Sequence, residues 1–274
     1  MSPPPFYKDL TKAVSDLLTD DYSLKNTLKL KHTTPHAVAF TAENEHKGAS
    51  GVAGKLQLKY AHKPSGFSLD KVVLGPDGGT SVECSLAGVA EGLKLTAKIN
   101  DAIKGDVGTE FVGARMALKT EVNTELTKIT SSATAAYDGV NAGGIVIAKL
   151  PGDKPAALSD YNAGLSYGGT GWFTALTTSN KMATYNVSAS YAPAANLTTA
   201  VLASTTPESG AQTVTVGLKY QCNPATVLRA KMTSEGMVHA AMQNKCCEGV
   251  SVGVATEMNT KDMQPKFGFN CTLG

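Results

Sequence analysis

The sequence predicts an all-β protein, a transmembrane up-and-down antiparallel β-barrel of about 19 strands preceded by an N-terminal amphipathic helix. Three observations carry this. Apolar and polar residues alternate one by one from Leu28-Lys29-Leu30-Lys31 to Lys266-Phe267-Gly268-Phe269-Asn270-Cys271-Thr272-Leu273. No stretch is apolar enough to cross a membrane as a helix. Dividing the roughly 250 residues after the helix by about 13 per strand plus turn gives about 19 strands of membrane-spanning length, roughly 9 to 11 residues each. Successive side chains on a strand point to opposite faces, so the alternation describes a sheet with one apolar and one wet face. A sheet that large must close, pack or aggregate.

Residues 1–24 break the pattern. After Pro3-Pro4-Pro5, Phe6, Leu10, Val14, Leu17 and Leu18 recur at helical spacing, with Asp9, Lys12, Asp16 and Asp20 on the other side. The segment has no Arg and carries Asp9, Asp16, Asp20 and Asp21 against Lys8 and Lys12, unlike a mitochondrial presequence or an anchor to anionic lipid. It also lacks the basic start and apolar core of a secretory signal peptide, so bacterial secretion is not expected. The chain therefore divides into a helical segment and linker, 1–24, and a barrel, 25–274.

Alternating segments follow at 25–33, 36–43, 51–62, 66–74, 80–88, 92–100, 110–122, 124–138 and 142–150. They continue at 159–168, 171–179, 182–192, 197–206, 212–222, 226–234, 236–245, 250–258 and 265–273. The segment 124–138 is long enough to hold two strands. Gly75-Pro76-Asp77-Gly78-Gly79, Pro151-Gly152-Asp153 and Asn223-Pro224 mark turns between them. A meander of hairpins results.

The alternation assigns the faces. Leu56, Leu58, Tyr60, Val82, Cys84, Leu86, Leu93, Leu95, Ala97 and Ile99 share the apolar face with Val214, Val216, Leu218, Tyr220, Val250, Val252, Val254, Phe267, Phe269 and Leu273. The wet face carries Lys29, Lys31, Lys55, Lys59, Lys94, Lys98, Arg115, Lys119, Lys219, Arg229 and Lys231, set against two acids, Glu83 and Glu121. If lipid covers the apolar face, the wet face is a lumen whose positive charge concentrates anions. A soluble β-rich lipid- or ligand-binding protein is the alternative. It would leave the apolar faces of all these strands without covering helices.

Composition sets limits. A mean hydropathy of -0.09 does not argue against a membrane, because lipid-facing and water-facing residues cancel along each strand. A net charge of +2 without a basic run gives no reason to expect nucleic acid as a partner. Cys84, Cys222, Cys246, Cys247 and Cys271 lack zinc-site spacing and read as free thiols in a reducing setting. Three glycosylation sequons, at Asn186, Asn196 and Asn270, read as chance without a signal. His32, His36, His46, His62 and His239 have no partner at ligand spacing, and Gly164-Leu165-Ser166-Tyr167-Gly168-Gly169 fits no phosphate loop. No enzyme, metal site or cofactor is expected.

Pro3-Pro4-Pro5-Phe6-Tyr7-Lys8-Asp9-Leu10, with Lys12, Asp16 and Tyr22, resembles the start of the mitochondrial voltage-dependent anion channels, the eukaryotic porin family. Tyr220, Asn223, Pro224, Thr226, Ala230, Lys231, Met232, Thr233 and Ser234 resemble its C-terminal signature, with Asn223 where Asp is usual and His239 where a small residue is usual. Gly92-Leu93-Lys94 and Gly217-Leu218-Lys219 are similar to the family's GLK strand motifs, the latter linked with nucleotide. Lys266, Gly268, Cys271 and Leu273 resemble the last-strand signal read by the mitochondrial barrel-insertion machinery. The resemblance spans nearly the whole chain. Nineteen is the strand number known for these channels, so the arithmetic agrees with it without being independent of it.

The resemblance implies a barrel in the mitochondrial outer membrane passing ATP, ADP, phosphate and other small anions. The helix would lie in the lumen and take part in voltage gating, with Asp9, Leu10, Lys12 and Asp16 on it. Lys12, Lys94 and Lys219 become nucleotide-contact candidates. Its implied partners are metabolite anions and nucleotides, membrane lipid, further copies in a homo-oligomer, and cytosolic proteins docking at the outer membrane. A protein-import pore of the same membrane is the nearest rival. The chain departs from the family at Thr11, Ser15, Asp20 and Asp21, and Ser23-Leu24-Lys25 follows Tyr22 without a glycine hinge. Asp70 is the counterpart of the family's membrane-facing acid, in a stretch too irregular to fix its face.

Overall fold

A computed structural model describes residues 3–46, 51–101, 104–150 and 157–274. A single turn of 3-10 helix, Tyr7–Asp9, leads into α1, Lys12–Thr19. The strands are β1 Asn26–Thr33, β2 Val38–His46, β3 Val52–His62, β4 Phe67–Leu74, β5 Thr80–Ala90 and β6 Leu93–Asn100. Then come β7 Gly105–Val112, β8 Met116–Asn123, β9 Lys128–Tyr137, β10 Val140–Lys149, β11 Ala157–Gly169, β12 Trp172–Ser179 and β13 Thr184–Ala194. The chain ends with β14 Leu197–Thr206, β15 Ala211–Asn223, β16 Thr226–Thr233, β17 Met237–Cys247, β18 Val250–Asn259 and β19 Pro265–Leu273.

Among the described residues these form one 19-stranded sheet in which every strand pairs with the next. An odd number of alternating strands leaves the first and last running the same way, so closure must be parallel. The β1–β19 seam is parallel, pairing Thr27 with Asn270, Leu28 with Cys271, Lys29 with Thr272 and Leu30 with Leu273. The Phe269 N–H also donates to Asn26 Oδ1 at 3.1 Å. The expected barrel of about 19 strands is borne out, and its antiparallel pairing gives way at this one seam.

The other correction concerns 110–122 and 124–138. The first contains the end of β7, the turn Gly113-Ala114-Arg115 and β8; the second holds only β9 after a turn. Gly113-Ala114-Arg115 has no Pro, Asn or Asp to mark it, while Leu126 takes a left-handed φ of 54° in a turn that reads as strand. The punctuated turns form as expected: Gly75 N–H bonds Gly79 O at 2.7 Å, and Asn223 Oδ1 accepts from the Ala225 and Thr226 N–H groups at 2.9 and 2.7 Å. Pro151-Gly152-Asp153 lies outside the described residues.

Register fixes the faces, because residues paired across strands share one. Leu218, Ala230, Ala240, Thr256 and Phe267 form one outward row, and Gly217, Lys231 and His239 one inward row. The outward Leu28, Leu30, Leu118, Leu165, Val187, Val216, Leu218, Met232, Val254, Phe267 and Phe269 are all exposed, an apolar belt around the barrel. Soluble monomers rarely expose apolar patches beyond a few hundred Å². No helix of the described residues is long and apolar enough to span a membrane.

Candidate functional site

The N-terminal segment lies inside the barrel against β9–β18. Leu10, Val14, Leu17 and Leu18 are 2%, 1%, 4% and 3% exposed. Phe6, expected with them, is only half-buried. An isolated helix of this length is marginal in water, so α1 owes its form to the wall. The seat is built from small inward residues. Ala200 packs with Val14, Leu17 and Leu18, with Phe173 and Leu202 at its edge. A Cβ on Gly217 would lie 2.5 Å from Leu18 Cδ2 and 3.1 Å from Leu17 Cδ2, and one on Gly164 would lie 3.3 Å from Leu10 Cδ1. Tyr7 Oη donates to Ala163 O at 3.2 Å and anchors the first turn.

The C-terminal turn of α1 and the bend after it are tied by side chains from two strands. Arg229 Nη1 donates to Asp16 O at 2.8 Å, and Lys231 Nζ donates to Leu18 O at 2.8 Å. Lys231 thus satisfies a carbonyl that the helix end leaves open, and Arg229 adds a second donor to Asp16 O, which also accepts the Asp20 N–H at 3.2 Å; both cations sit where the helix dipole is negative. Arg229 Nε stands 3.1 Å from Asp21 Oδ2, and Gln243 Nε2 donates to the same carboxylate. Asp21 has φ 70°, a left-handed turn that Asp tolerates better than most residues. The turn swings Tyr22 beneath Lys231, whose Nζ is 4.5 Å from the ring centroid, and edge-on to His239 at 6.0 Å. Burial pushes ionisation of the Tyr22 phenol up to about 12, against the pull of Arg229. The linker then crosses β19 over Gly268, where a Cβ would meet Ser23 O at 2.5 Å.

The opposite wall carries paired charge. Lys29 meets Glu43 at 3.4 Å, Lys98 meets Glu83 at 3.3 Å, and Lys119 meets Glu110 and Glu121 at 2.6 and 3.0 Å. Lys25 meets Glu45 at 2.9 Å. Asp70 stands at an irregularity that resets the β4–β5 register between Leu69 and Lys71. Its carboxylate meets Lys94 Nζ at 3.5 Å, and Lys94 pairs in register with the inward Glu110, which turns Asp70 to the lumen. Asp70, Glu83, Lys94, Lys98, Glu110, Lys119 and Glu121, with Lys8 and Asp106, line a recess of about 390 Å³. The expected contrast of many bases with two acids is therefore corrected. Glu43, Glu45, Asp70, Asp106, Glu110 and Glu257 also share inward register, and a count by strand parity would have found most of them.

Lys31, Lys55, Lys59 and Lys219 face inward without an ion pair among the described residues. Arg115, expected on a lumenal strand face, sits exposed in the β7–β8 turn at the rim. Lys12, Lys94 and Lys219 come from α1, β6 and β15; the first pairs with Asp16 at 3.2 Å and the second with Asp70, and no contact joins the three among the described residues. Asp9 is exposed in the 3-10 turn. Nothing in the sequence marks Asp21, Tyr22, Gln243 or the glycine seat as anchors of the helix, because that role depends on which wall the helix touches.

The barrel superposes on the solved structure "Asymmetric conductivity of engineered proteins" with TM-score 0.50 at 11% identity, over 86% of this chain and 98% of that one. The chain is 23% identical to the "Mitochondrial outer membrane protein porin" of Neurospora crassa, over 94% of each. It is 24% identical to "Mitochondrial outer membrane protein porin 5" of Oryza sativa subsp. japonica, covering 100% of this chain and 99% of that protein. The Candida albicans porin of the same membrane is 24% identical, over 98% and 99%. The eukaryotic porin family model matches residues 3–268, and with it the chain belongs to the eukaryotic porin family.

Proposed function

We propose that this chain forms a passive, weakly anion-selective and voltage-gated pore for metabolites, ATP, ADP and phosphate among them, in the mitochondrial outer membrane. The observation that carries the reading is the contrast of faces: a continuous exposed apolar belt outside, and inside it a lumen that keeps Lys31, Lys55, Lys59 and Lys219 unpaired. Unpaired positive charge along a water-filled path raises the local concentration of anions without forming a tight site, as conduction requires. Relatives named for the mitochondrial outer membrane support the location. Moving an elementary charge through the field gains about 2.3 kcal/mol per 100 mV, enough for lumenal charges to shift an open–closed balance.

No enzymatic step enters this reading. A soluble binding protein would not present the apolar belt. A protein-import pore differs in its occupant, so a basic presequence peptide would block its current and compete with nucleotide flux. The test is release of ATP from lipid vesicles holding the refolded protein, together with closure of planar-bilayer currents at raised voltage of either sign. No ATP release would overturn the pore, and voltage-independent currents would remove the gating.

A further inference from the structure

Arg229 and Lys231 stand in inward register on β16 beside Lys219 on β15, and from sequence the three are alike. In the structure they differ. The Lys219 side chain has no ion pair or hydrogen bond among the described residues. Arg229 spends Nη1 on Asp16 O at 2.8 Å and sets Nε 3.1 Å from Asp21. Lys231 spends Nζ on Leu18 O at 2.8 Å while lying over the Tyr22 ring. Both carbonyls belong to the last turn of an eight-residue helix, where every intrahelical bond lost shortens it toward collapse. Both donors are only partly open to water, which strengthens a charge-assisted bond.

We infer that Arg229 and Lys231 are positioning residues, a latch that fixes the C-terminal turn of α1 and its Asp21–Tyr22 bend against β16 and β17. Two glycines make the latch reachable. Without a side chain at Gly217 the helix approaches β15 closely, and without one at Gly268 the linker runs flat across β19. Asp21 then does two jobs, turning the chain at φ 70° and pairing its charge with Arg229 while accepting from Gln243. Asn at this position could turn but would lose the ion pair, and Gly could turn but would lose both partners. The helix is thereby held at its exit as well as by its apolar face, and the open geometry of the lumen depends on side chains of the barrel wall.

This inference rests on the reading of the chain as a pore, and the test separates the two. Arg229→Gln, Lys231→Gln and Lys219→Gln each remove one inward positive charge. Only the first two release the latch. Amide hydrogen exchange across Lys12–Thr19 in detergent-refolded protein should quicken about tenfold or more in Arg229→Gln and Lys231→Gln and stay at the wild-type rate in Lys219→Gln. In planar bilayers the two latch variants should scatter among several open levels and close at a lower voltage. Lys231→Arg, which keeps a donor and charge within reach of Leu18 O, should restore both readouts and shows that the effect is not misfolding. Equal exchange and one shared open level in all three Gln variants would overturn the latch while leaving the pore intact. Absence of conductance in the wild type would instead overturn the pore.

Discussion

Gly217→Val tests whether the wall gives α1 its form. A Cβ at this position would stand 2.5 Å from Leu18 Cδ2, 3.1 Å from Leu17 Cδ2 and 3.2 Å from Ala230 O. Carbon atoms in good contact lie about 3.5–4.0 Å apart, so the leucines must withdraw by roughly 1 Å. Gly217→Ala adds one atom against the free ends of two leucines, and a shift of their side-chain torsions absorbs it. Valine adds two more carbons to a space closed by both leucines and by backbone, and such overpacking costs about 1–3 kcal/mol. Val14, Leu17 and Leu18, by comparison, contribute about 1.5–3 kcal/mol each through burial. The helix therefore stays docked for most of the time but opens roughly 5- to 150-fold more often, the factor that 1–3 kcal/mol carries. Valine suits a strand, so β15 itself should hold. Hydrogen exchange of the Val14–Thr19 amides in micelles reads the opening, with the β15 amides as control. Exchange unchanged in Gly217→Val would refute the seat, and equal acceleration in β15 would show that the barrel had failed instead.

Other perturbations address other parts. Gly268→Ala places its Cβ against linker backbone, 2.5 Å from Ser23 O, which no rotamer relieves. It should lower the urea midpoint of the refolded barrel and raise exchange at the four-pair β1–β19 seam, and an unshifted midpoint would contradict the crossing. Leu58→Arg puts a charge in the lipid belt and should cost about 2–4 kcal/mol of barrel stability in lipid vesicles. Gln57→Arg, one residue away but inward, should cost little, and equal losses would refute the assignment of faces. Tyr22 makes docking of the linker sensitive to alkali. The free phenol ionises at 10.0 and the docked one at about 12. Docking is at full strength below the free value and weakens as pH rises toward the docked one, because only the released linker loses its proton there. The open level should become unstable as pH is raised from about 9 to about 11, and Tyr22→Phe should remove that part of the pH dependence. An identical pH response in both proteins would contradict burial of the phenol.

Alternation made the barrel legible because a period of two survives any length of strand, and it sorted Leu56, Leu58, Val216, Leu218, Phe267 and Phe269 to the outside correctly. It failed where a lone glycine is the sole mark of the reversal, as at Gly113-Ala114-Arg115, and where an irregular residue resets the phase, as at Asp70. The apolar stripe of the helix named Leu10, Val14, Leu17 and Leu18, yet nothing in the stripe tells which strands receive it. That depends on small side chains far along the chain, Gly164, Ala200 and Gly217, whose shared inward face emerges only from the register. Charges were the hardest. Lys29 reads as a free base until Glu43, on the next strand at the same depth, is placed opposite it. Arg229 reads as one more lumenal cation until the helix end arrives beside it.

The central claim is that the charges left unpaired in the lumen set the ionic preference of the pore. Its most direct test is the reversal potential of the high-conductance state in a planar bilayer under a KCl gradient. The wild type should reverse on the chloride side of zero. A variant with Lys31, Lys55, Lys59 and Lys219 all replaced by Gln should move toward zero or past it. A wild-type pore that prefers potassium, or a quadruple variant with the wild-type reversal potential, would contradict the account.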